Sequence, residues 1–148
     1  MRTWIDLVES AEKTFFHGSD KHWEPGSILS GRGEAYEKDW SHQDFYRVLE
    51  KYRPSDMLSH RDSVFMWVDD NDLDMYGGGE WVLELEPLGT VERHDMNWSG
   101  AIIEAIDNGE DEETIAQLAE NYWDGIPTDD PLWEYLTPKA RVIRSESL

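Results

Sequence analysis

Apolar and polar positions along the chain fall into short runs of differing period. Ile5, Leu7, Val8 and Ala11 lie largely on one side of a helix over residues 3–12, with Thr3 as N-cap and Asp6 three residues on. Thr14-Phe15-Phe16-His17 reads as an aromatic strand that breaks at Gly18-Ser19-Asp20. Pro25, Gly26, Gly31 and Gly33 make residues 20–40 a loop, with room for a short strand at Ile28-Leu29. Phe45, Val48, Leu49 and Tyr52 form the apolar face of a helix over about 42–52, with Ser41 as candidate cap and Pro54 ending the pattern. Ser63 to Val68 is a continuous apolar run of strand length, and Glu80 to Glu86 alternates, with Trp81, Leu83 and Leu85 on one face.

Residues 99–107 and 111–123 read as two helices. In the second, Asp111 is the N-cap, Ile115, Leu118, Ala119 and Tyr122 form the buried stripe, and Gly125 is the C′ residue. A last strand covers Trp133 to Leu136, Ala140 to Ile143, or both, with a bend at Pro138. Strands unevenly separated by helices, without regular βαβ units, predict an α+β fold.

The chain has 148 residues, 13 basic and 33 acidic, for a formal charge of −20. That length predicts one domain over residues 1–148, and 39% hydrophobic residues with eight tryptophans suffice for a core, which argues against wholesale disorder. The basic residues are scattered and residues 69–86 hold acids and no base, so direct nucleic-acid binding is not expected. Cysteine is absent, which excludes disulfides, thiolate metal sites and a cysteine nucleophile. No apolar run reaches membrane-span length, and Met1 to Leu7 lacks a signal-peptide core; the expectation is a cytoplasmic protein without a membrane partner.

Two stretches carry candidate chemistry. In Phe15-Phe16-His17-Gly18-Ser19, a histidine ends an aromatic strand beside a glycine whose backbone a ligand can approach closely. The alternative is a histidine that caps the strand and bonds a loop. In the second stretch, the strand Trp81 to Glu86 leaves through Pro87 and Gly89 and is followed by His94-Asp95-Met96-Asn97. A carboxylate there can face a developing cation, or Asp95 or Asn97 can simply start the helix at 99–107.

Other signals are weaker. Tyr76-Gly77-Gly78-Gly79 lacks the Gly-Lys-Ser/Thr of a P-loop and reads as a turn between strands. His17 and His22 are five apart without a His-Glu-x-x-His pattern, so no zinc site is expected. Asp69 to Asp74 lacks the glycine and terminal glutamate of an EF-hand and reads as a solvated acidic loop.

The order of these pieces resembles the ADP-ribosyltransferase superfamily, closest to the small rifamycin-type and phage-encoded members. Phe16-His17-Gly18-Ser19 is similar to that family's aromatic-His-Gly-Thr/Ser motif, and Gly26-Ser27-Ile28-Leu29 to its Gly-x-x-Leu. Ser63 to Met66 matches a strand with a nicotinamide-stacking aromatic. Trp81 to Gly89 is similar to its Glu-Pro-x-Gly strand, and Asp95-x-Asn97 to its Asp-x-Asn. Trp133-Glu134-Tyr135-Leu136 with Ala140 to Ile143 resembles the last strand, which carries a glutamate in the wider superfamily. The match touches most of the chain through short collinear motifs.

The resemblance implies two small, mainly antiparallel sheets forming an NAD cleft with flanking helices, and transfer of ADP-ribose from NAD with release of nicotinamide. By position His17 would bond a ribose hydroxyl, Gly18 would anchor the carboxamide, and Ser19 would close the cofactor-binding motif. Phe65 would pack on the nicotinamide ring, Asp95 would stabilise the ribosyl cation or position the acceptor, and Glu134 would bind the nicotinamide ribose. Phe65 stands where tyrosine is usual, which keeps the stacking and loses a hydroxyl. Residues 30–61 are longer than in the drug-modifying members and bring Trp40, Phe45, Tyr46 and Tyr52 as a different acceptor surface.

The chemistry is self-consistent: breaking an N-glycosidic bond builds positive charge on the ribose, a fixed carboxylate stabilises it, and nicotinamide leaves neutral without a strong acid. The acceptor stays open between an antibiotic hydroxyl and a protein side chain, and the charge suits a basic partner surface. The rival expectation is a non-enzymatic acidic DNA mimic that blocks a nucleic-acid-binding partner.

Overall fold

Among the described residues, seven strands and four helices are ordered so that two small antiparallel sheets lie face to face, with helices over the outer face of one of them. The computed structural model describes residues 13–68 and 79–147. The helix expected over 3–12, the acidic loop Asp69 to Asp74, and all but Gly79 of the glycine tract lie outside the described residues. The strands are β1 (Phe15–Ser19), β2 (Ile28–Ser30), β3 (Val64–Met66), β4 (Trp81–Pro87), β5 (Glu92–Asp95), β6 (Trp133–Thr137) and β7 (Lys139–Ser147). The helices are α1 (Glu34–Trp40), α2 (Asp44–Tyr52), α3 (Asn97–Asp107) and α4 (Glu112–Trp123), with a 3-10 turn at His60–Asp62. None of these helices is long and apolar enough to cross a membrane. The architecture is therefore α+β with two antiparallel sheets.

The first sheet runs β1-β4-β7-β2 and the second β3-β6-β5. Alternation along β4 buries Leu83 and Leu85, and these meet Phe15, Leu29, Ala140 and Val142 from the first sheet. Val64, Met66 and Tyr135 close the same core from the second sheet. The outward face of the first sheet carries cross-strand ion pairs, Glu86 with Arg141 and Glu84 with Arg144. A second cluster joins Leu49 of α2, Ile102 of α3, and Ala119, Tyr122 and Trp123 of α4.

Local sequence explains most boundaries. Asp111 caps α4 by accepting from the Thr114 amide at 2.9 Å. Gly125, at φ +71°, closes that helix: its N–H bonds the Tyr122 carbonyl while the Ile126 N–H reaches Asn121, the paired bonds of a Schellman end. α2 begins after Gln43 rather than Ser41, because residues 41–43 form a turn and the extended backbone of Gln43 precedes the helix.

Two elements depart from the sequence reading. The glycine-rich loop contains α1, which holds its place through buried Tyr36 and an ion pair from Glu37 to Arg61 at 2.8 Å. The polar stretch Glu92-Arg93-His94-Asp95 is strand β5, paired along β6. Both strands at the C-terminus form, and β6 and β7 meet at Pro138.

Gly31 fixes the approach of the β2–α1 connection to the 3-10 turn. A Cβ there would stand 2.3 Å from the Asp62 carbonyl carbon and 2.6 Å from the Arg61 oxygen, both backbone atoms. Next to it the Gly33 N–H bonds the Arg61 carbonyl at 2.7 Å. Gly31→Ala is expected to destabilise the protein by about 2 kcal/mol through overpacking, read as a lower urea midpoint with an unchanged slope.

Candidate functional site

The two sheets touch edge to edge at one point. Phe16 and Trp67 exchange both backbone hydrogen bonds, at 2.7 and 2.9 Å, and no further β1–β3 ladder bond forms among the described residues. In an antiparallel strand alternate residues aim their N–H and C=O at the same edge. Phe16 faces β3, so Gly18 faces it too, while Phe15, His17 and Ser19 face β4.

Continued by two residues, the pairing would set Gly18 against Phe65. The His17 ring takes that place instead. Its Nδ1–H donates to the Phe65 carbonyl at 2.7 Å, which satisfies β3 without the Gly18 amide. The Gly18 N–H and C=O are left side by side on an open strand edge, without a partner among the described residues. The same bond fixes the imidazole tautomer: the proton is on Nδ1, and Nε2 is a bare acceptor. Burial holds the ring below its ordinary pKa, the Phe65 carbonyl partly opposes that, and nearby Arg32 adds to it. His17 is therefore a neutral acceptor at physiological pH.

Ser19 does different work. Its Oγ accepts from the Lys21 amide and the Trp23 indole and donates to the Lys21 carbonyl, closing the turn after β1. Phe65 lies on the helix-facing side of the second sheet, where the Tyr36 ring stacks on it at 5.6 Å between centroids and 12° between planes. Trp40 extends that stack outward from Tyr36.

The two candidate carboxylates occupy opposite faces of the second sheet. Residues directly opposite each other share a face, so Phe65, Leu136, Glu134, His94 and Glu92 lie together on the helix side. Asp95 pairs with Trp133 and lies on the other side. There its carboxylate accepts four hydrogen bonds, from the Asn97, Thr128 and Leu132 amides and the Thr128 hydroxyl, at 2.7 to 3.1 Å. Asp95 is 0% exposed. Burial pushes its pKa up, but the Thr128, Leu132 and Asn97 bonds outweigh that and hold it below the ordinary aspartate value. A carboxylate with these lone pairs taken has none to offer a ribosyl cation or acceptor; Asp95 anchors the start of α3 and the loop before β6.

Glu134 is the opposite case. It is 6% exposed, its Oε1 accepts the Tyr122 hydroxyl, and its Oε2 has no hydrogen bond among the described residues. Burial raises its pKa; the Tyr122 bond and His94 pull it down in part, and Asp95 pushes it up.

Behind Tyr122 stands a buried polar row that sequence reasoning did not find as a site. His60 Nε2 meets the Tyr122 hydroxyl at 2.7 Å, and Tyr36 Oη lies 3.5 Å from His60 Nδ1. His94 stacks on Tyr122 at 4.5 Å, donates Nδ1–H to the Tyr122 carbonyl at 2.8 Å, and meets Glu92 Oε1 with Nε2 at 3.1 Å. Glu92 Oε2 in turn accepts the Leu58 amide and ties the 3-10 turn region to β5. His60 has no spacing signature in the sequence, and Tyr122 is indistinguishable there from the apolar stripe of α4. Scanned against models of known protein families and against curated protein sequences, the chain matches none.

Two stability tests follow from these environments. Asp95→Ala is expected to lose about 3 kcal/mol, since several hydrogen bonds to one charge disappear and their donors stay buried, read by chemical denaturation at pH 7. His60 is held neutral by complete burial, then by His94 and Arg53, with its pKa lowered from 6.5 to about 3. Between those values the unfolded chain binds the extra proton, so this contribution is intact above 6.5 and is lost as pH falls towards 3. At about 1.36 kcal/mol per unit it amounts to a few kcal/mol, and His60→Gln is expected to flatten that part of the stability–pH curve.

Proposed function

We propose that this chain is an NAD-dependent mono-ADP-ribosyltransferase built on an ADP-ribosyltransferase-like fold. The observation that carries the reading is the open edge at Gly18: one N–H donor and one C=O acceptor, side by side, next to the neutral acceptor His17 Nε2. A carboxamide offers the complementary acceptor and donor pair, and a ribose hydroxyl offers the proton that Nε2 lacks. The resemblance of Phe16-His17-Gly18-Ser19 to the family's motif names the same two residues for the same roles.

In this reading Gly18 clasps the nicotinamide amide and His17 accepts from a ribose hydroxyl. Glu134, on the strand beyond β3, accepts a second ribose hydroxyl with Oε2 and stabilises the cationic sugar as the C1′–N bond breaks. The bonding electrons go to nicotinamide, which leaves neutral. The acceptor's hydroxyl, amine or other nucleophile attacks C1′ and gives up its proton to water. Phe65 contributes its ring through a stack shared with Tyr36, so the nicotinamide enters beside an existing aromatic pair. Asp95 has no part in the chemistry and supports it by holding the loop that leads into β6.

The DNA-mimic reading has less support. On the outer face of the first sheet, Glu84 and Glu86 alternate with Arg144 and Arg141, which breaks any row of like charge there.

The test is nicotinamide release and NAD-dependent thermal shift for the wild type, His17→Ala and Glu134→Gln. The wild type is expected to consume NAD and to be stabilised by it. His17→Ala is expected to weaken NAD binding by about tenfold, the worth of one net hydrogen bond. Glu134→Gln is expected to lose about 100-fold or more in turnover. The raised pKa of Glu134 means its burial favours folding only below the unfolded glutamate pKa, and that contribution is lost as pH rises through the folded value. At neutral pH the glutamine variant is therefore expected to melt higher than the wild type. Wild-type protein that neither binds nor consumes NAD would overturn the reading.

A further inference from the structure

Tyr36, His60, Tyr122 and Glu134 form a single row of hydrogen-bonding groups from α1, the 3-10 turn, α4 and β6. An ionised carboxylate only accepts, so the Tyr122 hydroxyl donates to Glu134 Oε1. The Tyr122 oxygen then accepts from His60, which places that ring's proton on Nε2. His60 Nδ1 is left as an acceptor towards the Tyr36 hydroxyl. With Glu134 ionised, this is the arrangement in which each member has the partner it needs. The other histidine tautomer would put a bare Nε2 against Tyr122 and compete for the proton that Glu134 receives.

We propose that Tyr122 and His60 are positioning residues that hold Glu134 ionised, with one oxygen engaged and the other left for the substrate, His60 acting by orienting the Tyr122 hydroxyl. The proposal rests on the role given to Glu134 in the transferase reading. The groups on that carboxylate's side of the sheet are Tyr122 from α4, His94 and Glu92 from β5, Tyr36 from α1, and His60, with Arg53 acting on His60 from the end of α2; Asp95 acts on Glu134 from the opposite face. His94, which meets Glu92 and the Tyr122 carbonyl, holds the Tyr122 ring by stacking on it. Burial opposes the ionised form of Glu134, so removing a donated hydrogen bond moves its titration upward.

The experiment uses the whole chain and two readouts, the pH profile of nicotinamide release and the titration of the Glu134 carboxylate by carbon-13 NMR, assigned with Glu134→Gln. The variants are Tyr122→Phe, His60→Leu and His60→Gln, the last with an amide N–H able to stand where Nε2–H stands. Tyr122→Phe and His60→Leu are expected to raise the Glu134 midpoint, and the acid limb of the profile, by about one pH unit. That is about tenfold less activity at a fixed pH below the limb. His60→Gln is expected to bring both back towards the wild type. An unmoved midpoint in folded Tyr122→Phe, or an equal shift in His60→Gln and His60→Leu, would overturn the proposal while wild-type turnover leaves the transferase reading standing. The expected midpoint shifts without any nicotinamide release would instead keep the row and remove the enzyme.

Discussion

One substitution of partners governs the architecture: the His17 imidazole bonds the Phe65 carbonyl where strand pairing would have used the Gly18 amide. A backbone carbonyl on a strand edge needs a donor, and with one supplied by a side chain β3 has no need of further pairing with β1. The two sheets therefore stay joined at Phe16 and Trp67 and part beyond them. The same bond that parts the strands takes the Nδ1 proton and leaves the ring's second nitrogen as an acceptor. An alanine at position 17 would remove the strut and the acceptor together, and would leave the Phe65 carbonyl without its donor. In the transferase reading, strand parting and ligand recognition are one interaction.

A second constraint comes from burying Glu134. Its carboxylate lies under α4, out of water, and burial favours the protonated form. The fold opposes this with one donor and with His94, and it spends three further side chains, His60, Tyr36 and Glu92, on orienting those two. A domain of this size gains more stability from an apolar residue than from such a row. Asp95 has no such conflict, because its hydrogen bonds favour the charge that they surround. Of two buried acids one row apart, the strained one is the candidate for chemistry and the satisfied one is structure.

Much of this was legible in the sequence, and the parts that were not share a cause. Strand β4 could be read because Leu83 and Leu85 are apolar at period two, and α4 because Ile115, Ala119 and Tyr122 fall on one stripe, with Asp111 and Gly125 at its ends. Strand β5 gave no such pattern: what it buries on the helix side is His94, beside nearly buried Glu92, and polar burial has no hydropathy signature. Helix α1 is seven residues long, too short to form without support, and it exists because Tyr36 packs between Phe65 and His60. His60 could not be found for the same reason, since its role depends on partners more than sixty residues later in the chain.

Asp95 and Glu134 illustrate how far local reading reaches. Each sits in a short polar motif, and either could face a cationic sugar on residue type alone. The pairing of β5 with β6 decides between them. His94 opposite Glu134 and Asp95 opposite Trp133 put consecutive residues on alternate faces, and β3 brings Phe65 onto the face of Glu134. A slip of β6 by one residue would have set Glu134 opposite Asp95, carrying it out from under the helices and onto the same face as the other acid. What pins the register is apolar: Tyr135 on the core side and Leu136 beneath the helices are both fully packed and cannot trade places without exposing or overfilling a layer. The identity of the candidate carboxylate is thus set by the packing of its two neighbours in the chain, and by no property of the acid itself.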